Sequence, residues 1–288
     1  MAAPSIGFFG AGAMSSAIVG GVGKTKLFSR YLFTDPNANA IANCCSLVPA
    51  PRPSAGADLA TLCAEADVIV LGVKPQVAPK LLPRMRKAMA ASGTADSKII
   101  VSIMAGITIE SLQLGLGPNS KVVRVMPNAP LKVGAGATGI APAANVSQDD
   151  ANLVKKLFEC VGYAAVVPEN QLDAVTGVSG SGPAYIAVAI EALADGGVKA
   201  GLPRPLALNL AIHTVYGTGA MCKEGGPGGK KLHPSLLKDL VCSPGGTSIY
   251  GLSAAEKHGL RTSLVEAVTA TAARAKELGQ PAAPTPKL

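Results

Sequence analysis

The chain of 288 residues contains no tryptophan, and aromatic residues make up only 3% of it. Proteins that bind nucleic acid by stacking bases on aromatic rings need more rings than this. Basic residues nevertheless exceed acidic ones, giving a formal net charge of +8, and their only tight group is Arg84, Arg86 and Lys87. A scattered basic excess also suits a protein whose ligands are small anions. We therefore expect a small-molecule ligand and no nucleic-acid partner.

The sequence also lacks the spacings that hold metal ions or build disulfide frameworks. No two cysteines form a C-x-x-C pair, and the three histidines are isolated from one another. Structural zinc sites need such paired spacings, so we predict no metal site. A chain of this length does not depend on disulfides for its stability. We expect reduced thiols at all six cysteines, which are Cys44, Cys45, Cys63, Cys160, Cys222 and Cys242.

Long apolar runs are missing too, although hydrophobic residues make up 48% of the chain and charged residues only 15%. No run is long enough to cross a bilayer, and the N-terminal residues lack the basic-then-apolar order of a secretory signal. These absences predict a soluble, cytoplasmic protein with no membrane partner. The length is sufficient for two domains, each with a core of its own.

A glycine-rich turn near the N-terminus is the first feature that indicates a ligand. Residues 5–10 predict a strand, and a helical stretch through Val22 follows the motif Gly10-x-Gly12-x-x-Ser15. In a dinucleotide-binding turn, the first glycine permits the turn, the second lets the pyrophosphate approach, and a small third residue lets helix and strand pack closely. Glycine turns are also common structural features, but the place of this one between a strand and a helix favours a dinucleotide.

The next predicted strand, residues 31–34, ends at Asp35. The dinucleotide fingerprint has an acidic residue there, about 20 residues beyond the turn. Its carboxylate would accept a hydrogen bond from a ribose 2′-hydroxyl and repel a 2′-phosphate. We therefore expect NADPH or NADH as the cofactor, with Asp35 favouring NADH. Arg30 or Lys26 is the candidate for offsetting the repulsion of a phosphate.

Continuous apolar runs separated by helical patterns predict further strands, at residues 67–73, 98–103 and 122–125. Such runs are typical of a parallel sheet that helices cover on both faces, so an α/β domain is expected. In these sheets, ligands bind beyond the carboxyl ends of the strands. The residues that follow these strand ends are Lys74-Pro75, Ala105-Gly106 and Met126-Pro-Asn-Ala-Pro130.

Beyond Val167-Pro168 the pattern becomes entirely helical. The predicted helices start at Ser181 and Pro234 or span 205–223, 247–258 and 260–278, and a glycine-rich surface loop is expected at 225–231. These helices are apolar over much of their circumference, which indicates burial against a second subunit and hence a homodimer at least. We predict domains at 1–167 and 168–279 and a disordered tail at 280–288.

The segment Ser243-Pro-Gly-Gly-Thr-Ser248 places two glycines and two adjacent hydroxyls directly before one of these helices. Unsatisfied NH groups at a helix N-terminus attract anions, and glycines let a small anion come close. The segment is a candidate carboxylate cradle, or else an ordinary capped turn. The spacing shows no Ser-His-Asp set, no paired carboxylates and no Cys-His arrangement. That absence suits hydride transfer, in which a cofactor carries the chemistry.

From about residue 5 to 278, the chain resembles the pyrroline-5-carboxylate reductase family. Five segments carry the resemblance, and the last two are highly specific: Gly7-Phe-Phe-Gly-Ala-Gly12, Ala66-Asp-Val-Ile-Val-Leu-Gly-Val-Lys-Pro75, Arg124-Val-Met-Pro-Asn128, Leu172-Asp-Ala-Val-Thr-Gly-Val-Ser-Gly-Ser-Gly-Pro-Ala184 and Val241-Cys-Ser-Pro-Gly-Gly-Thr247. The resemblance implies a Rossmann-like N-terminal domain followed by an all-α dimerisation domain. It further implies NAD(P)H-dependent reduction of 1-pyrroline-5-carboxylate to L-proline, the last step of proline biosynthesis, in a homodimer or a larger ring such as a decamer.

The resemblance also assigns roles to residues. The substrate carboxylate would bind at Ser243, Gly245, Gly246, Thr247 and Ser248, on the NH groups of the last three, and the hydroxyl of Ser248 or Thr247 would act catalytically by orienting the ring nitrogen. The cofactor would bind along Gly10, Gly12, Ala13, Met14, Asp35, Val73, Lys74, Pro75, Ala105, Met126 and Asn128.

The chain departs from the family pattern at three residues. Ser248 stands where a second threonine is usual, and it lacks the methyl group that would restrict its rotamer. Asp35 and Asp58 stand near positions where relatives that read the NADPH phosphate present Ser or Asn. Two other functions remain open: a different imine or β-hydroxyacid oxidoreductase, and a non-enzymatic dinucleotide sensor or basic nucleic-acid-binding protein.

Overall fold

The computed structural model describes residues 3–49, 54–225 and 231–279. They form two compact units. Of the described residues, those up to Ser181 and those from Thr269 to Gly279 form the first, and those from Gly182 to Val268 form the second. The domain boundary after residue 167 stays a prediction. The predicted tail at 280–288 and most of the predicted loop at 225–231 lie outside the described residues.

A single sheet forms the centre of the first unit. Its strands in chain order are β1 (Ser5–Phe9), β2 (Arg30–Thr34), β3 (Ser54–Gly56), β4 (Val68–Leu71), β5 (Ile99–Ser102), β6 (Lys121–Met126), β7 (Gly136–Pro142) and β8 (Gly162–Val166). Their order across the sheet is β3-β2-β1-β4-β5-β6-β7-β8, and all neighbours are parallel except β6 and β7. The expected parallel sheet is therefore confirmed, with one antiparallel pair added to it.

Helices connect these strands and continue into the second unit. Their bounds are α1 (Ala13–Val22), α2 (Ala38–Ser46), α3 (Leu59–Glu65), α4 (Ala78–Ala91), α5 (Ile109–Leu116), α6 (Gln148–Glu159), α7 (Leu172–Val175), α8 (Gly182–Lys199), α9 (Arg204–Glu224), α10 (Pro234–Val241), α11 (Thr247–Lys257) and α12 (Leu260–Leu278). A π-helical turn, Thr176–Gly180, separates α7 from α8. None of the helices in the described ranges combines the length and the hydropathy needed to cross a bilayer.

Alternate residues of each strand point to opposite sides of the sheet. Both faces of the sheet carry buried apolar side chains. One face carries the core of Ile6, Phe8, Tyr31, Phe33, Val68, Val70, Val101 and Val123, in which the rings of Phe8 and Phe33 stack at 5.5 Å. The other face carries Phe9, Leu32, Ile69, Leu71, Ile100 and Val122. The uninterrupted apolar runs in the sequence reflect this double burial.

The antiparallel strand β7 was not predicted from the sequence. Its residues, Gly136-Ala-Thr-Gly-Ile-Ala-Pro142, include two glycines and a proline, which are unfavourable in strands. The preceding connection, residues 127–135, is shorter than the roughly dozen residues that a parallel crossover requires. The chain therefore turns back at β6, and β7 runs against it.

The second unit has a very small core of its own. The buried cluster there consists of Ala194, Ala207 and Ala211, with Leu237 also buried. Many large apolar side chains are exposed, among them Ile186, Val188, Leu193, Leu206, Leu208, Leu210, Tyr216, Leu240, Tyr250 and Val265. Water-exposed apolar surface on this scale marks an interaction surface, as the predicted second subunit requires.

Gly162 provides a test of the close contact between β7 and β8. It opposes Gly136 in the register, has φ +145°, and would place a Cβ atom against the backbone of Gly136. We expect Gly162→Ala to lower the free energy of unfolding by roughly 2 kcal/mol or more, because backbone strain and overpacking add. Urea denaturation at one fixed protein concentration measures the change.

The matched control is Gly20→Ala in α1, where a Cβ atom would meet no neighbour within 4 Å. This change is expected to leave stability unaltered or to raise it by up to about 1 kcal/mol, since alanine favours a helix. Equal stability of the two variants would contradict the close approach of β7 and β8.

Candidate active site

The turn after β1 leaves room for a ligand at its second glycine. Gly10 packs tightly, because a Cβ atom there would lie 2.7 Å from the carbonyl oxygen of Gly72. Gly12 is the N-cap residue of α1, and a Cβ atom built on it would meet no atom within 4 Å. The NH groups of Ala13 and Met14 belong to the first turn of α1, where no intrahelical acceptor is available. Gly12 therefore lies at an open helix N-terminus that suits a phosphate group.

Asp35 holds this turn in place from the end of β2. Its Oδ2 accepts a hydrogen bond from the NH of Ala11 at 2.8 Å, and its Oδ1 accepts one from the NH of Asn37 at 2.8 Å. The NH of Gly10 also donates to the carbonyl of Thr34 at 2.9 Å. Each carboxylate oxygen keeps acceptor capacity for a ribose hydroxyl. Asp35 thus has a structural role in the turn that the sequence alone did not reveal.

Gly10, Asp35 and Val73 line one cavity of about 270 Å³ at the carboxyl ends of β1, β2 and β4. Lys74 follows Val73 with an exposed side chain, and Pro75 begins a 3-10 turn. The structure therefore brings these five predicted cofactor residues to the same edge of the sheet.

The basic residues expected to offset Asp35 lie elsewhere. Arg30 is the first residue of β2, whereas Asp35 follows its last, and Arg30 forms an ion pair with Glu65 at 2.6 Å. Lys26 precedes Arg30 and is also on the amino side of the strand. Five residues of extended strand span roughly 16 Å, too far for a direct effect at the ligand edge. The expectation for Arg30 or Lys26 was therefore wrong.

Asp58 also has a structural role in the first unit. It is the N-cap residue of α3, and its Oδ1 accepts a hydrogen bond from the NH of Thr61 at 2.7 Å. This backbone hydrogen bond holds the pKa of the Asp58 carboxyl below its usual value.

A second cavity, also of about 270 Å³, lies beyond the ends of β5 and β6. Two predicted cofactor residues, Ala105 and Met126, line it together with Arg124. The methyl end of Met126 packs where Gly180 of the π-helical turn has no side chain, since a Cβ atom there would lie 2.6 Å away. The strand ends and the π-helical turn therefore bound the same cavity.

Arg124 is a partly buried charge that was not predicted as a site residue. Its side chain is 12% exposed and pairs with Glu169 at 3.1 Å and with Asp173 at 4.0 Å. The Oε1 of Glu169 also accepts a hydrogen bond from the NH of Ile109 at 2.8 Å. Buried charges require such partners. The available signal was an arginine inside the apolar run Val122-Val-Arg-Val125.

Asn128 is buried and uses its amide within the protein. Its Nδ2 donates to the carbonyl of Ser179 at 3.0 Å, and its Oδ1 accepts from the NH of Ala137 at 2.8 Å. These bonds connect the end of β6 with the π-helical turn and with β7. A contact with a cofactor at Asn128 stays a prediction, beside this observed structural role.

In the second unit, Ser243–Gly246 forms a tight turn before α11. The NH of Gly246 donates to the carbonyl of Ser243 at 3.0 Å, and Gly245 has φ +67°. A side chain on Gly246 would strike the Oγ of Ser243. Because the NH of Gly246 is already used in the turn, the prediction that it holds a carboxylate does not fit this geometry.

The NH groups open to a ligand are those that follow the turn. Gly246 is the N-cap residue of α11 and provides no side-chain cap, so Thr247 and Ser248 stand in the uncapped first turn. Their NH groups and hydroxyls lie on the same helix end, beside the glycine turn. The arrangement offers two NH donors and two hydroxyls to a small anion.

A metal centre or a reactive thiol would depend on the His, Cys, Asp and Glu side chains. No three His, Cys, Asp or Glu side chains within the described ranges are grouped to hold a metal ion. The six cysteines are free, and burial raises the pKa of the Cys63 thiol to about 11. Such a thiol stays protonated and acts as a packing residue.

Two family models match the chain. The model described as pyrroline-5-carboxylate reductase dimerisation matches residues 169–278, and the model of an NADP oxidoreductase, coenzyme F420-dependent, matches residues 5–106. The pyrroline-5-carboxylate reductase of Synechocystis sp. is 47% identical over 214 residues, covering 74% of this chain and 76% of that protein. The enzyme of the same name from Methanosarcina acetivorans is 38% identical over 279 residues, covering 96% and 98%. The chain belongs to the pyrroline-5-carboxylate reductase family.

A solved structure agrees with this assignment. The pyrroline carboxylate reductase of Plasmodium falciparum with NADP bound has a TM-score of 0.80 and 30% identity, and the match covers 97% of this chain and 100% of that one. Family membership confirms the predicted oxidoreductase activity, the NAD(P)H-dependent reduction of 1-pyrroline-5-carboxylate to L-proline. The Rossmann-like domain followed by a helical dimerisation domain is confirmed, as are self-association and a nicotinamide dinucleotide as cofactor.

Asn128 provides a test of the buried connection between strand and π-helical turn. We expect Asn128→Ala to lower the free energy of unfolding by about 1–3 kcal/mol, because the carbonyl of Ser179 and the NH of Ala137 lose their partner. Thermal and urea denaturation measure the loss. The control, Asn39→Ala, removes an exposed amide from the first turn of α2 and should change stability by less than about 0.5 kcal/mol. An Asn128→Ala variant as stable as this control would contradict the assignment.

Proposed function

We propose that the chain reduces 1-pyrroline-5-carboxylate with the substrate held at the N-terminus of α11 and the cofactor held along the carboxyl edge of the sheet. The observation that carries this proposal is the uncapped first turn of α11, with two hydroxyls at Thr247 and Ser248 directly after a glycine turn. The residues at the sheet edge fit a dinucleotide, since Gly12 leaves open space at a helix N-terminus and Asp35 lines a cavity beside it.

The substrate carboxylate binds to the NH groups of Thr247 and Ser248 in this proposal. Hydrogen bonds from two backbone donors and the positive end of the helix dipole both stabilise a negative charge at this point. Gly245 and Gly246 keep side chains away from the approaching carboxylate, and Ser243 closes the turn behind it. The alternative, a turn that only caps α11, explains the glycines but assigns no role to the hydroxyls of Thr247 and Ser248.

The hydroxyl of Ser248 or Thr247 orients the ring nitrogen. NAD(P)H, when bound, supplies the hydride that adds to the imine carbon. The electrons of the C=N bond then reside on the nitrogen, which carries a proton as iminium or receives one from solvent. A hydroxyl at this position accepts a hydrogen bond from the protonated nitrogen and fixes the ring relative to the carboxylate. The protein's contribution is therefore positioning and hydrogen bonding.

For the cofactor, we propose that NADH and NADPH are both accepted and that Asp35 favours NADH. A carboxylate beside the 2′ position accepts a hydrogen bond from the hydroxyl of NADH, whereas it repels the phosphate of NADPH. The contribution of the cofactor-lining residues Val73, Lys74, Pro75, Ala105 and Met126 is to hold the dinucleotide along the strand ends.

For the assembly, we propose a homodimer or a larger ring, such as a decamer, in which the exposed apolar helices of the second unit are buried. We also propose a cytoplasmic location and no nucleic-acid partner. The six free thiols suit a reducing compartment, and the basic residues are scattered rather than gathered in a stripe.

The double variant Thr247→Ala, Ser248→Ala tests the hydroxyls. It keeps the backbone NH groups, so we expect kcat/KM for 1-pyrroline-5-carboxylate to fall roughly tenfold to hundredfold, as loss of a hydrogen bond to a charged group predicts. The dissociation constant for NADH should stay within about twofold. The control is Ser253→Ala, an exposed hydroxyl further along α11. Undiminished turnover by a folded double variant would reject the proposed site.

Ser248→Thr tests the departure from the family pattern. The added methyl group restricts the rotamers of the hydroxyl, so we expect KM for 1-pyrroline-5-carboxylate to fall by about twofold or threefold. Steady-state kinetics at saturating NADH measure the effect. A rise in KM would mean that the hydroxyl of Ser248 binds in a rotamer that threonine cannot adopt.

A further inference from the structure

The cavity beside Asp35 contains a second charged side chain, Arg84. Apolar side chains form much of its wall, among them Leu59, Val77 and Leu81, whereas Asp35 and Arg84 are its charged residues. The cavity lies at the carboxyl ends of β1, β2 and β4. It therefore occupies the place where the adenosine half of a dinucleotide binds in sheets of this kind.

Arg84 faces this cavity because of its position on α4. Leu81 precedes it by three residues, and residues three apart lie on the same face of a helix. The neighbouring basic residue Arg86 points elsewhere, since its Nε lies 4.0 Å from the Cβ position of Gly117 at the end of α5. Of the basic group Arg84, Arg86 and Lys87, Arg84 is the member that lines this cavity.

Among the described residues, nothing forms an ion pair with the guanidinium of Arg84, which leaves it available to a ligand. Arg30, by contrast, is bound to Glu65, and Arg124 to Glu169. Arg84 is exposed on α4, so its long side chain can reach a group at the rim of the cavity.

Asp35, unlike Arg84, is held by hydrogen bonds within the protein. Its two oxygens each accept a hydrogen bond from a backbone NH, those of Ala11 and Asn37, so the carboxylate stays in place whichever dinucleotide binds. A 2′-phosphate beside it carries a charge of about −1.5 to −2 and needs a cation to offset the repulsion. Arginine suits this task because its planar fork of donors binds phosphate through two parallel hydrogen bonds.

We propose that Arg84 binds the 2′-phosphate of NADPH and so determines whether this site accepts NADPH beside Asp35. The inference rests on the proposed dinucleotide site and adds the residue that reads the 2′ position. Asp35 holds the ribose hydroxyl of NADH, and Arg84 holds the phosphate of NADPH. The balance between these two side chains sets the ratio of the two affinities.

The test uses fragments of the cofactor that need no substrate. Calorimetric titration with 2′,5′-ADP and with 5′-AMP compares two ligands that differ by the 2′-phosphate. For Arg84→Ala, we expect the affinity for 2′,5′-ADP to fall tenfold or more and the affinity for 5′-AMP to stay within about twofold. Arg84→Lys, which keeps the charge but loses the paired donors, should fall between the wild type and Arg84→Ala.

Arg86→Ala is the matched control, because it removes the same charge from the same helix on another face. It should leave both affinities within about twofold. Equal weakening of both ligands by Arg84→Ala would overturn the proposal, since it would mean contact with the adenine or the ribose. No weakening of either ligand would overturn it as well.

The reductase assay separates this inference from the proposed function. With 1-pyrroline-5-carboxylate as acceptor, Arg84→Ala should raise KM for NADPH tenfold or more relative to KM for NADH. Loss of 2′,5′-ADP binding in a protein that reduces no pyrroline-5-carboxylate would support Arg84 and reject the reaction. Full reductase activity with unaltered 2′,5′-ADP binding in Arg84→Ala would support the reaction and reject Arg84.

Discussion

The parallel pairing of β1 with both β2 and β4 is the constraint on which the rest of the first unit depends. Because these strands run in the same direction, their carboxyl ends meet at one edge, and the turns that follow them are brought together there. The hydrogen bonds of Asp35 to the turn after β1 secure this edge. Residues that are far apart in the chain, such as Gly10, Asp35 and Val73, line one cavity as a direct consequence.

Two polar side chains, Arg124 and Asn128, connect β6 and the residues after it to neighbouring segments. Arg124 would be costly inside an apolar strand, yet Glu169 and Asp173 neutralise it, and Asn128 links two segments through a single amide. Both groups join β6 to the stretch around the π-helical turn. These polar contacts hold the stretch in addition to apolar packing. π-Helical turns are rare and often accompany functional sites.

The choice between the two cofactors is a question of charge at one point of the cavity. Asp35 alone would disfavour a 2′-phosphate. Arg30 lies at the opposite end of β2 and pairs with Glu65, whereas Arg84 lies on the wall of the cavity. The partner of a charge is set by the fold and not by closeness in the chain.

Local pattern was sufficient for much of this protein. The glycine turn, the strands β1, β2, β4, β5 and β6, the bounds of α12 and the Thr247 start of α11 could be predicted from short-range propensity and periodicity. Family resemblance added the reaction. The antiparallel β7, the partners of Arg124 and the shared cavity of Arg84 and Asp35 follow only from the tertiary structure. Each of these depends on which distant segments meet, and that is not encoded in the spacing of residues along the chain.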